Sequence, residues 1–355
     1  MSSEVFNFFP LNKIIQEDVA HIIANFDDWS RFKNKTVLIS GANGFLPAYL
    51  VETFMALDEA YNTKVIALVR NRQKAEVRFQ HLLNNPRLTF VAQDVTAPLS
   101  IEEKVDFIIH AASQASPKYY KTDPVGTLSA NVLGTMNLIE LARKHNVESF
   151  LFFSSGEVYG EVKAEDIPIK EDTFGYLNCA NVRACYGESK RMGENICVSY
   201  NVQYGVPAKI VRPFHTYGPG MALDDGRVFA DFVANVVNRQ DIVMMSDGSA
   251  IRPFCYLRDA TLGFLTVLIK GENGQAYNMG NPNEEHSIME LAEVMVGLYP
   301  EFGLKVVKNK PIANANYMKS PILRNSPDIT KIKQLGWEPK VTVHEGFKRT
   351  VASFL

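Results

Sequence analysis

Hydrophobic residues fall along this chain in two alternating rhythms. Short apolar runs, Thr36–Ser40, Val65–Val69, Leu88–Ala92, Phe107–His110, Phe150–Ser154 and Lys209–Val211, are too short for helices and show no strict polar alternation. That is the pattern of strands buried on both faces. Between most of them, apolar residues recur every three to four positions, as in Leu133–Lys144 and Tyr186–Tyr200, the spacing of helices. Strand–helix alternation of this kind predicts an α/β fold, a doubly wound parallel sheet covered on both faces.

The ends of the chain break the rhythm. Ahead of the first strand, Ile14, Ile15, Val19, Ile22 and Ile23 recur at helical spacing, so residues 1–34 read as a helical arm for packing or dimer contact. Residues 35–212, which carry the alternation, read as one domain. Past residue 213, turns such as Tyr217-Gly218-Pro219-Gly220 and Gly280-Asn281-Pro282 interrupt helical stretches. Residues 213–355 are therefore expected to form mainly a smaller, mixed α/β substrate domain, with some segments returning to the sheet.

Composition narrows the class. A chain of 355 residues can bury a large core. Its 37 Lys and Arg against 39 Asp and Glu leave a formal net charge of -2, with no general attraction to nucleic acid or an anionic membrane. Cys179, Cys185, Cys197 and Cys255 form no C-x-x-C pair, which is the usage of a reduced cytoplasmic protein. No basic stretch leads into an apolar run at the N-terminus, and no segment approaches membrane-spanning length. We therefore expect a soluble, cytoplasmic protein without a metal, and without nucleic-acid or membrane partners.

Candidate chemistry begins after the first strand, at Ser40-Gly41-Ala42-Asn43-Gly44-Phe45-Leu46-Pro47. In a doubly wound sheet, ligands bind beyond the carboxyl ends of the strands, and the first turn into a helix receives a pyrophosphate on unsatisfied N–H groups. Gly41 permits a tight turn and Gly44 a close backbone approach. Asn43, Phe45 and Leu46 complete the turn and supply its first amides. The spacing is G-x-x-G, and Pro47 fills the place of a third glycine. With the helix starting just after Gly44, Pro47 lies in its first turn, where a missing N–H has no intrahelical partner to lose.

The second strand ends Leu68-Val69-Arg70-Asn71-Arg72, with no acid to hold the ribose hydroxyls of NAD. Arg70 and Arg72 either meet the 2′-phosphate of NADP or stand in solvent; the cofactor is NAD or NADP, with the arginines favouring NADP. Asp94, after the third strand, is a candidate partner for the adenine amino group.

Further along, Tyr186 and Lys190 stand four apart in a helical segment and share a face. A phenol titrates near 10, and an adjacent ammonium is expected to bring it toward the working range of a base. The fifth strand ends Ser154-Ser155-Gly156-Glu157, at the same edge of the sheet. There Ser155 can hydrogen-bond the reacting oxygen while Tyr186 takes its proton.

With Gly41–Leu46, Ala115-Ser116-Pro117, Asn131–Thr135, Ser155–Gly160, Arg212-Pro213-Phe214, Tyr217-Gly218-Pro219 and Gly336–Pro339, residues 35–352 resemble the extended short-chain dehydrogenase/reductases of the NAD-dependent epimerase/dehydratase family. Within it the chain looks most like UDP-glucuronate decarboxylases, on His110–Pro117, Arg183–Tyr186 with Lys190-Arg191, Asp225–Val228 and Gly280-Asn281-Pro282. The resemblance implies a Rossmann-type fold with residues 35–212 as the dinucleotide-binding domain, a tightly bound nicotinamide cofactor, a nucleotide-sugar substrate, transient oxidation at sugar C4 and a homodimer built from two helices per subunit. It implies that Tyr186 is the base, that Lys190 orients the nicotinamide ribose and that Ser155 aids proton transfer. Val95 and Ala111 join the cofactor set, and Ser116, Arg227 and His215 the substrate set. Arg252 would grip the diphosphate or a substrate carboxylate.

A 4-ketone acidifies the C5 proton and turns a C5 carboxylate into a β-keto acid that loses CO2. Glu157 then abstracts the C5 proton for dehydration, assists decarboxylation electrostatically, or simply caps backbone amides. Four positions depart from the decarboxylase pattern: Gly156 for Ser, Gly187 for Asp, His215 for Asn and Gly220 for Arg. His215 is open between a substrate ligand or acid and a loop histidine. Dehydration, C4 epimerisation and NADPH-dependent 4-ketoreduction use the same residues. A non-catalytic nucleotide-binding relative is the competing class, and the intact Tyr186, Lys190, Ser155 and Glu157 argue against it.

Overall fold

The structure, a computed structural model, describes residues 12–308 and 323–355. Residues 1–11 of the expected arm lie outside them. Six strands follow in chain order: β1 Thr36–Ser40, β2 Lys64–Val69, β3 Leu88–Ala92, β4 Phe107–His110, β5 Ser149–Phe153 and β6 Ala208–Pro213. Each lies within one or two residues of its expected limits. A seventh, Ala276–Met279, pairs with β6 and completes a parallel sheet ordered seventh, β6, β5, β4, β1, β2, β3. All of β1, β4 and β5 is buried. At the sheet edge only Leu88 of β3 is buried, because one side of that strand has no neighbour.

Nine helices matter here: α1 Lys13–Ala24, α2 Phe45–Met55, α3 Arg72–Arg78, α4 Pro117–Thr122, α5 Pro124–His145, α6 Cys185–Tyr204, α7 Val228–Val237, α8 Leu257–Lys270 and α9 Ile288–Gly297. The strand period of two sorts the core. Val37 and Ile39 pack with side chains of α2 and α8 on one face, while Leu38 packs with those of α5 and α6 on the other. A third core gathers α7, α9 and the helix Val343–Ala352.

The helix α1 lies against α2 and α8. It is pinned there by Asp18, which is fully buried and accepts from Tyr256 Oη at 2.7 Å, Arg349 Nη2 at 2.8 Å and Tyr49 Oη at 3.2 Å. All four cysteines are free, and only Cys179 is exposed. Among the described residues, no helix is long and apolar enough to cross a membrane.

For the site, the decisive feature is the strand order. From β1 the chain moves outward through β2 to β3, then returns to the other side of β1 with β4. The order thus reverses between β1 and β4, and in a doubly wound sheet ligands bind beyond the carboxyl ends of the strands at such a point.

Candidate active site

Backbone builds one side of the candidate site. Gly41 turns the chain with φ 64°, donates to Leu68 O at 2.8 Å and accepts from Gly44 N at 2.7 Å. A Cβ on Gly41 would stand 2.7 Å from Ala112 Cα, and one on Gly44 2.9 Å from Gly41 O. The turn itself thus requires both glycines. Gly44 caps α2 without a side-chain hydrogen bond, Asn43, Phe45 and Leu46 are half-buried, and Pro47 sits in the first turn. Ser40 Oγ accepts from Ala111 N and Ala112 N, each at 3.2 Å, and lies 2.8 Å from His110 Nδ1. These bonds fix the loop after β4, with half-buried Ala111, against the end of β1.

Side chains at the ends of β2 and β3 are looser. Arg70 and Arg72 are exposed, and Arg72 Nε lies 2.7 Å from Glu76 Oε1 in the same helix. Arg70 stands near Asp123, whose carboxyl is held below its ordinary pKa first by the Gln114 hydrogen bond and then by the Gly126 amide, with Arg70 adding its charge. Asp94 is exposed and accepts from Thr96 N at 2.9 Å and Thr96 Oγ1 at 2.8 Å. Val95 is buried where it closes on Gly134 of α5.

The opposite side is made of locked side chains. Ser155 Oγ accepts from Glu157 N at 3.2 Å and shares a hydrogen bond with the hydroxyl of Tyr186, in the first turn of α6. One turn on, Lys190 Nζ donates to Phe153 O at 2.6 Å and lies 5.7 Å from the centroid of the Tyr186 ring. The nearest acid on α6, Glu194, is engaged by Arg212, whose Nε and Nη2 donate to its two oxygens at 2.8 and 2.6 Å.

The expected lowering of the phenol pKa by Lys190 is not found. Burial pushes Tyr186 up to about 12, Glu157 adds to the rise, and the Ser155 hydrogen bond and Arg227 work against it. Burial likewise pushes Lys190 down to about 7, partly offset by Glu194. Both groups are buried, so desolvation penalises phenolate and ammonium alike and outweighs their proximity.

Of the substrate-side candidates, Glu157 and Arg227 act on the same phenol through their charge. Glu157 Oε2 lies 3.8 Å from Arg183 Nη2. Ser116 Oγ donates to Asp225 O, and Lys118 Nζ to Asp224 O at 3.2 Å. Arg227 grips the Asp225 carboxylate through Nε at 2.8 Å and Nη2 at 2.6 Å, and its charge reaches Tyr186 and His215. Arg252 donates Nη1 to Ile251 O at 2.7 Å and to Leu323 O at 3.1 Å. His215 takes φ 29°, and burial, then Arg252, then Arg227 drive its pKa well below the usual value. This lowering favours the neutral imidazole, which suits a hydrogen-bonding group.

Three of the four departures from the decarboxylase pattern are packed around. A Cβ on Gly156 would lie 2.8 Å from Phe214 Cε1, one on Gly187 2.9 Å from Leu177 Cδ1, and one on Gly220 2.6 Å from Arg78 Nη2. Arg78 also donates Nη1 to Gly220 O at 3.3 Å.

Sequence reasoning missed Tyr120. Its ring stacks on that of Tyr186, with centroids 5.3 Å apart and planes at 19°. No local pattern around Pro117-Lys118-Tyr119-Tyr120 announces this, because the partner lies two helices further on.

Residues 37–280 match the NAD dependent epimerase/dehydratase family. UDP-glucuronic acid decarboxylase 5 of Arabidopsis thaliana is 38% identical over 315 residues, 88% of this chain and 87% of its own length. UDP-glucuronic acid decarboxylase 1 of Danio rerio is 34% identical, covering 90% of this chain and 72% of its own length. Among solved structures, a UDP-glucuronic acid 4-epimerase of Bacillus cereus in complex with UDP-glucuronic acid and NAD superposes with TM-score 0.74 at 21% identity, over 90% of this chain and 98% of that one. A UDP-glucose 4-epimerase of Thermotoga maritima superposes with TM-score 0.75 at 23% identity, over 90% and 98%. At these identities the structural matches speak for the fold.

Proposed function

This chain belongs to the NAD dependent epimerase/dehydratase family, and we propose that it is a nucleotide-sugar decarboxylase acting on UDP-glucuronate through oxidation at C4. The observation that carries this reading is the likeness to UDP-glucuronic acid decarboxylases along nearly the whole chain. Local chemistry supports it. Dehydration across C5–C6 calls for an acid to protonate the leaving hydroxyl, whereas loss of CO2 from a β-keto acid does not. Gly156 carries no side chain for that acid, and the Phe214 ring leaves no room for one.

The dinucleotide has a fitting receptor: an N-terminus of α2 without a side-chain cap, at the point where the strand order reverses. Phe45 and Leu46 would face its phosphates, Val95 and Ala111 would line it, and Lys190 would hold the nicotinamide ribose. When bound in oxidised form, it supplies a hydride acceptor at the sugar's C4.

Tyr186 takes the proton of the C4 hydroxyl, with Ser155 bridging phenol and substrate oxygen. Loss of CO2 leaves its electron pair in an enolate, whose oxygen Ser155 and the now protonated Tyr186 stabilise. Glu157, beside Arg183, faces C5, where a proton must return; the resulting 4-ketone then takes the hydride back at C4 while Tyr186 returns its proton to the oxygen, so that CO2 is the only mass lost. Ser116, His215, Arg227 and Arg252 hold the nucleotide and sugar, residues 35–212 serving mainly the cofactor and 213–355 mainly the substrate.

The finer choices follow from exposed positions. The family is NAD dependent by description, yet the end of β2 offers Arg70 and no acid; we assign NADP as the preferred form. Denaturing the purified protein and identifying the released dinucleotide tests this, and NAD alone would overturn it. Exposed Val125, Leu133 and Met136 on α5 with Met192 and Val202 on α6 support a homodimer through these helices, to be checked by light scattering.

The reaction is tested by incubating the protein with UDP-, GDP-, CDP- and dTDP-sugars, UDP-glucuronate among them, and reading product mass. Loss of the mass of CO2 from UDP-glucuronate is expected. Loss of water, or an isomer of unchanged mass, would replace decarboxylation with dehydration or epimerisation.

A further inference from the structure

A phenol that must take and return one proton has to keep its oxygen on target while substrate enters and leaves. A tyrosine ring is free to swing about its Cα–Cβ bond unless something lies against its face. In this chain that something is a second tyrosine. Tyr120 and Tyr186 are both buried, stack at 5.3 Å and 19°, and with Cys185 form an apolar cluster of their own. Tyr120 is itself anchored, since its hydroxyl donates to Ala115 O at 3.0 Å. The stack lies against the plane of the Tyr186 ring, whose hydroxyl is directed at Ser155.

The helix α4, which carries Tyr120, is tied elsewhere. Ser116 at its start bonds Asp225 O, and Lys118 bonds Asp224, so α4 is fastened to the loop that carries Arg227. The Arg227 charge reaches both tyrosines. One short helix therefore joins the substrate loop to the face of the base.

We propose that Tyr120 is a positioning residue: it clamps the Tyr186 ring onto Ser155 and, through α4, couples that clamp to the Asp224–Arg227 loop. This rests on the reading of Tyr186 as the base. Replacing the stack by an aliphatic side chain leaves the site occupied and the ring loose.

The test compares Tyr120→Leu with Tyr120→Phe, each checked for folding by thermal melting. Tyr120→Leu is expected to lower kcat about 30-fold with KM changed by less than about twofold, as for a misoriented catalytic group. Tyr120→Phe keeps the stack, loses only the bond to Ala115 O, and should stay within about threefold of the parent. Should Tyr120→Leu not fold, Tyr120→Met replaces it. Equal kcat in the aliphatic variant and the parent would overturn the proposal, as would equal loss in Tyr120→Phe. A crystal structure of the aliphatic variant gives a readout that needs no substrate. A Tyr186 ring turned away from Ser155 supports the clamp, and an unmoved ring refutes it. If the parent turns over no nucleotide sugar, the proposed reaction fails, and this structure still decides the clamp.

Discussion

Asp18 enters the interior on α1 and meets two phenols and a guanidinium; Lys190 enters it on α6 and meets a backbone carbonyl. Both are buried and charged in ordinary solution, and the chain surrounds them in opposite ways. Around Asp18, hydrogen bonds and the positive charge of Arg349 work against a desolvation that still raises its pKa. Around Lys190 the acid that would compensate, Glu194, has both oxygens taken by Arg212. A fully satisfied buried charge ties elements together, whereas an under-satisfied one is left ready to change protonation or partner. The first arrangement is that of a clasp; the second suits the role proposed for Lys190.

The largest effect should break the working side. Tyr186→Phe removes the proposed proton acceptor and is expected to lower turnover about 10²–10⁴-fold, read by product mass over time, with the melting temperature little changed. Asp18→Asn should do the reverse. It disrupts a buried ion pair and is expected to cost about 3–5 kcal/mol in urea unfolding, while the folded fraction keeps its kcat.

Lys190→Met sharpens the contrast through pH. Folded Lys190 titrates near 7 against an ordinary 10.5, so between these values the unfolded chain holds the extra proton. Stability then rises with pH across that window, and the burden of the buried ammonium is complete below it. The difference in unfolding free energy between parent and variant should therefore change across this window, the parent gaining as pH rises; a flat difference would mean that Lys190 is not depressed. Gly156→Ser comes next, at about 1–3 kcal/mol, because its side chain must displace the Phe214 ring. Arg70→Ala is the smallest, weakening NADP about tenfold in fluorescence titration and leaving NAD unchanged.

Much of the sheet was legible because period and length suffice for strands buried on both faces, and β1 to β6 are such runs or nearly so. The strand Ala276–Met279 was not, since four residues between loops show no period to read. Tyr186 and Lys190 were legible because one turn of helix fixes their neighbourhood. Their pKa shifts were not, because desolvation depends on what the rest of the chain piles over them. Likewise the Asp18 clasp joins residues 31, 238 and 331 positions apart, and Phe214 fills the space beside Gly156 from another strand end. Local chemistry is written in sequence neighbours; mutual packing is not.

The seventh strand also sets a clock. Asn278 accepts from the Tyr159 hydroxyl, which in turn accepts from Arg212, the residue that occupies Glu194 beside Lys190. As the chain is synthesised from its N-terminus, α6 and β6 emerge well before residue 278. Until that residue arrives, β6 stays an open edge and the relay behind Lys190 lacks its last member. The nascent protein can thus own every residue named as catalytic and still lack the strand that completes the hydrogen-bond relay behind them.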